Sequence, residues 1–193
     1  APFVIIQWMR TKTFRDVGYE LMTRCGQKLT DNLAEVNTPD MAGKVKFRLD
    51  KEAMPGVHAE HLLDAPKVAR MAGDLERHLW VIGINETANL FYTSDHPVVR
   101  RGNQKVNGEL QIGPRDPGIE YAFPLDSRHI LLILERTHFA EWKKYDNKAV
   151  RLTSEQVRDY NELQVLRSNQ RTYCANDDFD LARAVCAAHP EVC

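Results

Sequence analysis

The hydrophobic period of this chain changes at Trp80, and that change limits the folds open to it. Before it, apolar residues recur three and four positions apart: Phe14, Val17, Leu21, Cys25, Leu29 and Leu33 trace the stripe of an amphipathic helix, and Val68, Met71, Leu75 and Leu79 trace another. After it come Leu79 to Ile84, Asn89 to Thr93, Glu109 to Ile112, Tyr121 to Leu125 and His129 to Glu135, short runs divided by turn-forming residues. Helical patterning returns at Thr137 to Lys144, again after Thr153 or Ser154 as a cap, and finally over Asp177 to Ala188. This order predicts an α+β protein with N-terminal helices, a central mainly antiparallel sheet and C-terminal helices.

Finer expectations follow from the same patterns. Phe3 to Leu33 is helical, with its stripe buried on one side. Asp64 caps the helix after it and Pro66 sits in that helix's first turn, where its missing N–H does no harm. Lys44 to Leu49 is a short strand or a connector. Leu79 to Ile84 and Asn89 to Thr93 form a hairpin around Asn85-Glu86-Thr87. Ile130 to Leu134 is apolar at every position, the mark of a strand covered on both faces. Arg171 to Ala175 is a last strand.

A length of 193 residues supports a single domain with a helical part over 1–79, a sheet part over 80–136 and a C-terminal helical part over 137–193. Twenty-six basic against 27 acidic residues leave a net charge of -1, which gives no electrostatic reason to expect nucleic acid. No apolar run approaches the roughly 20 residues needed to cross a bilayer, so the chain is expected to be soluble, cytoplasmic and without a membrane partner. It starts abruptly in the apolar PFVIIQWM, which implies preceding sequence. Cys25, Cys174, Cys186 and Cys193 show no metal-binding spacing; they are read as buried free thiols, with a clip among the last three as the alternative. The sequence specifies neither cofactor nor oligomeric state, and leaves the partner as a small molecule or a protein.

The stretch with the most chemistry is Thr93-Ser94-Asp95-His96-Pro97, where a strand runs into a turn. Pro97 forces His96 towards extended geometry. Asp95 either accepts N–H groups of its own turn, as aspartates commonly do, or serves as a general base or metal ligand with His96 beside it. Arg100 adds a positive charge close by. His58 and His61, three apart, lack a third obvious ligand, and no metal site is assigned. No G-x-S-x-G and no phosphate-binding glycine loop occurs.

Arg10-Thr11 with Arg15, the strand-turn FYTSDHPVV, Phe123-Pro124-Leu125 before an apolar strand, and Tyr160-Asn161 followed by Arg171-Thr172-Tyr173 resemble the bacterial domain-of-unknown-function family numbered 4238. The likeness runs over most of the chain. Lys12 stands where the family has the proline of Arg-Thr-Pro, and His96 where it has the asparagine of Ser-Asp-Asn-Pro; the family's N-terminal His-Tyr-Val-Pro motif does not occur. The resemblance implies no activity, but it picks out Arg10, Arg15, Asp95 and Asn161 as the polar set. Two readings follow. In the first, a binding or regulatory module, Asp95, Arg10, Arg15 and His96 form a closed polar network that fixes helix against sheet, and Thr93, Ser94, Asn161 and Arg100 are the binding residues. In the second, a hydrolase or nuclease-type enzyme, with an effector or toxin as one candidate, Asp95 and His96 act with Arg10 and Arg15.

Overall fold

The computed structural model describes residues 1–41 and 43–190. In chain order the helices and strands are α1 (Pro2–Met9), α2 (Lys12–Asn37), α3 (Met54–Leu63), α4 (Ala65–Leu75), β1 (Leu79–Ile84), β2 (Thr93–Ser94), β3 (Val99–Gly102), β4 (Lys105–Val106), β5 (Glu109–Leu110), β6 (Ile119–Pro124), β7 (His129–Leu134), β8 (Lys148–Arg151), α5 (Ser154–Arg167), β9 (Thr172–Tyr173) and α6 (Asp180–Ala188), with 3-10 turns at Pro39–Met41 and Ala140–Tyr145. The fold is α+β. The chain forms two compact units: Ala1–Trp8 joins the chain from Pro66 onward, and Met9–Ala65 stands as the other.

The larger unit is built on a sheet of order β3-β6-β7-β1-β8. All pairs are antiparallel except β1 with β8, which is parallel and was not expected. Central β7 is buried along Ile130 to Leu134, as a run apolar at every position requires. On one face Leu79, Val81, Val99, Ala122, Ile130, Leu132 and Leu134 pack with Val157, Tyr160 and Leu163 of α5. The Thr153–Gln156 capping box starts that helix, each side chain satisfying the other's backbone N–H. Tyr121 and Phe123 project to the other face, where the Trp8 ring meets Tyr121 edge-on at 6.3 Å and Phe3 lies 6.2 Å from Phe123.

The hairpin expected after β1 does not form. Both edges of β1 are taken, by β7 and β8, so no ladder position remains for Asn89 to Thr93. Asn85 instead organises the turn, accepting Thr87 N–H and donating to Asn89 O. The last strand is shorter than expected, and β9 pairs with β2 outside the main sheet.

Beyond β3 the chain turns tightly. Asn107 and Gly108, both at positive φ, close the β4–β5 hairpin. A side chain on Gly102 would collide with the Gln111 carbonyl oxygen. At the end of β7, Glu135 gathers the N–H groups of Thr137, His138 and Gly118. Burial alone would raise its pKa, but these N–H groups outweigh it and bring the value down to about 2.

In the smaller unit Thr11 caps α2, receiving Phe14 N–H. Gln27 holds the segment after residue 43, donating to Val45 O and accepting Phe47 N–H, so that segment is a connector and not a strand. The α2 stripe differs from expectation: Val17, Leu21, Leu29 and Leu33 are more than half exposed. Nor are the thiols core residues throughout. Cys25 is free and exposed, Cys174 is free and half-buried, Cys186 is not a free thiol, and Cys193 lies outside the described residues.

Gly102→Ala should lower the urea midpoint more than Gly83→Ala. The Gly83 methyl would meet only side-chain atoms, Leu152 at 2.6 Å and Ile130 at 2.7 Å, whereas the Gly102 methyl meets backbone. Glu135→Gln should destabilise the fold at neutral pH. Because the folded-state pKa is depressed, the difference from wild type is full above the unfolded carboxylate range and shrinks as pH falls towards 2; unfolding free energies measured across that window check it.

Candidate functional site

The segment Leu90 to Pro97 has little ladder of its own, and α5 supplies what the sheet does not. Asn161 accepts the Tyr92 N–H through Oδ1 at 2.8 Å and donates through Nδ2 to Leu90 O at 2.8 Å. One turn on, Gln164 accepts from the Ser94 hydroxyl at 3.0 Å and donates to Pro97 O at 3.0 Å. Both amides are buried, so each replaces backbone pairing that water cannot provide. Asp95 completes the seam. Its Oδ1 and Oδ2 accept the N–H groups of Asn169 and Gln170, each at 2.9 Å, while its own N–H donates to Arg171 O at 3.0 Å. Thr93 and Ser94 pair with Tyr173 and Thr172. The turn is thereby tied to the chain after α5 through backbone groups on both sides.

Consecutive arginines on β3 face opposite sides of the sheet. Arg101 stands across from Glu120 and Arg100 across from Tyr121. Glu120 is 2% exposed and well satisfied: Arg101 Nε and Nη2 reach Oε2 at 3.1 Å, Asn103 Nδ2 reaches the same oxygen at 3.2 Å, and Tyr160 Oη donates to Oε1 at 2.7 Å. Burial, and then the Glu120 charge, hold the Tyr160 phenol far above its ordinary pKa, so it remains a donor. Arg101 Nη1 turns towards Asp159 at 3.9 Å.

Arg100 has no carboxylate partner among the described residues. Its guanidinium lies over the Trp8 ring at 4.8 Å and donates to Ile112 O at 2.9 Å. Beside it, the buried Tyr121 Oη makes no hydrogen bond of normal geometry, and neither does the buried His96 Nδ1. Burial pushes the Tyr121 phenol up to about 12 despite the nearby guanidinium. Burial, and next the charge of Arg100, lower the His96 pKa and keep the ring neutral.

A cavity of about 510 Å³ opens between β3 and α5. Asp159, Glu162, Leu163, Leu166 and Arg167 line it as one stripe of α5, facing Arg101 on β3. Of the residues singled out from sequence, Thr93, Ser94, Asp95 and Asn161 are gathered into the seam, and His96 and Arg100 lie beside it. Arg10 and Arg15 belong to the other unit, at the start of α2; Arg15 lies 3.9 Å from Asp16, and the Arg10 backbone hydrogen-bonds the His58 ring. Glu120, Gln164 and Tyr121 were not singled out. An acid inside the otherwise apolar β6 run was the available signal for Glu120.

The larger unit therefore defines an α+β protein in which an amide-bearing helix supports a turn and leaves a cavity with charged and apolar walls beside it. Residues 1–178 match the family described as protein of unknown function (DUF4238), and the chain belongs to that family. No curated protein matches the chain, and no solved structure does.

Removing the Asp95 carboxylate leaves two backbone N–H groups without their acceptor, and Asp95→Ala is expected to cost about 1 to 3 kcal/mol in chemical unfolding. Asn161→Leu orphans the Tyr92 N–H and Leu90 C=O inside the protein and should cost at least as much.

Proposed function

We infer that the chain is a binding module whose small-molecule ligand occupies the cavity between β3 and α5. The observation that carries this reading is the state of Arg101: two of its nitrogens are held on buried Glu120, and the third faces the cavity from a rigid strand. A guanidinium prepared in this way loses little freedom on binding. Arg101 on β3, Asp159, Glu162 and Arg167 on α5, and the apolar Leu110, Leu163 and Leu166 in the same lining suit a ligand with a charged end and an apolar body.

The hydrolase or nuclease reading gains less support. A general base needs a carboxylate oxygen directed at substrate, and both oxygens of Asp95 already receive backbone N–H groups. The partner remains a small molecule in this reading, and no cofactor is invoked.

Thermal unfolding in the presence of free amino acids and short-chain carboxylic acids with apolar side chains tests the reading. At least one should raise the midpoint of wild type, and the rise should vanish in Arg167→Glu, which reverses a charge on the cavity wall at an exposed position. The reading is lost if none of these compounds acts, or if nucleic acid or ester hydrolysis is found and Asp95→Asn abolishes it without changing the unfolding midpoint.

A further inference from the structure

The charges around the cavity between β3 and α5 are not those that a lone anion would find favourable. Arg101 and Arg167 bring two guanidiniums, whereas Asp159 and Glu162 in the same lining, with Glu120 behind Arg101, bring three carboxylates. An anionic ligand would leave Asp159 and Glu162 stripped of water with no cation to answer them, and an unpaired desolvated charge is costly. Arg101 Nη1 stands 3.9 Å from Asp159 Oδ2, too far for a hydrogen bond, so each keeps its capacity for a partner. Neither Glu162 nor Arg167 has an ion-pair partner among the described residues. Opposite charges therefore face one space, and both signs are available in it.

We propose, on the reading that this cavity is the binding site, that its ligand is a free α-amino acid with an aliphatic side chain. Such a molecule carries its ammonium and its carboxylate on one carbon, which suits an arginine and an aspartate whose charged atoms lie 3.9 Å apart. Its carboxylate takes the third nitrogen of Arg101, the other two being fixed on Glu120. Its ammonium has three donors to place, and Asp159 and Glu162, three residues apart on α5 and so on one face, both accept. Leu110, Leu163 and Leu166 give the aliphatic side chain an apolar wall. A volume of about 510 Å³ is within the range of small-molecule sites. The zwitterion brings a positive charge to the surplus of carboxylates and still satisfies the arginine, which neither a fatty acid nor an amine does alone.

Calorimetric titration of the full chain, with the thermal midpoint as a second readout, compares L-leucine with three probes. N-acetyl-L-leucine lacks the ammonium, L-leucinamide lacks the carboxylate, and 6-aminohexanoate is an isomer of leucine whose two charges lie at opposite ends. Leucine should bind about tenfold or more tightly than each of them, since every probe gives up one charge-assisted contact. Asp159→Asn, at an exposed position, should reduce the preference for leucine over N-acetyl-L-leucine several-fold and leave the midpoint without ligand unchanged, a result that a merely structural aspartate would not give. If any of the three probes binds as well as leucine, or the preference survives in Asp159→Asn, the amino-acid assignment is overturned while the binding-module reading stands. If neither these compounds nor simple carboxylic acids bind, that reading falls and the assignment falls with it.

Discussion

Two carboxamide side chains on one helix stand in for a strand. Asn161 and Gln164 present a donor and an acceptor each to the segment from Leu90 to Pro97, which lies against the sheet without belonging to it. Without them, buried backbone groups would lose their partners, and every such loss costs more than a typical hydrogen bond contributes. The position of Ser94, the direction of Asp95 and the entry of the chain into β3 all follow from this pairing. The apolar residues Val157, Tyr160 and Leu163 of the same helix pack on the sheet while the amides reach the segment.

The neighbouring arginines show how a strand separates two environments by one residue. Arg101 turns towards α5 and meets a buried carboxylate; Arg100 turns the other way and meets aromatic rings and a carbonyl. A buried ion pair such as Arg101–Glu120 adds little net stability on desolvation grounds, and is better understood as fixing the geometry of the arginine. With Asn103 and Tyr160 completing the carboxylate's hydrogen bonds, the whole arrangement is closed on the protein side. Its open side faces the cavity.

Patterns tied to local backbone physics were readable in advance. The α+β class, the capping box of α5, the buried run of β7 and the family followed from periodicity, caps and short motifs. What escaped depended on pairing between distant residues. Asn89 to Thr93 has strand-like composition but no free ladder edge, a fact set by β8, which is short, and by its parallel match to β1. The α2 stripe has helical spacing, yet spacing does not say what covers it. At the site, the Thr-Ser-Asp-His turn was found because its polar residues are contiguous. Glu120 and Gln164 were missed because each matters only through partners many residues away. Asp95 accepts backbone N–H groups as expected of an aspartate at a turn, but they are those of Asn169 and Gln170 and not of its own turn, a pairing that local sequence does not reveal.

The sheet unit is assembled from two pieces of chain, since α1 joins it from before the helical unit. During synthesis α1 leaves the ribosome before the helical unit and the sheet, but Tyr121 and Phe123, the rings its own aromatics meet, come from β6. Its apolar side chains must therefore remain uncovered while the helical unit and β1 are made, a long-range closure of the kind that slows folding and exposes sticky surface. The order of translation and the order of packing run against each other here, and the newborn chain carries α1 uncovered until β6 is made.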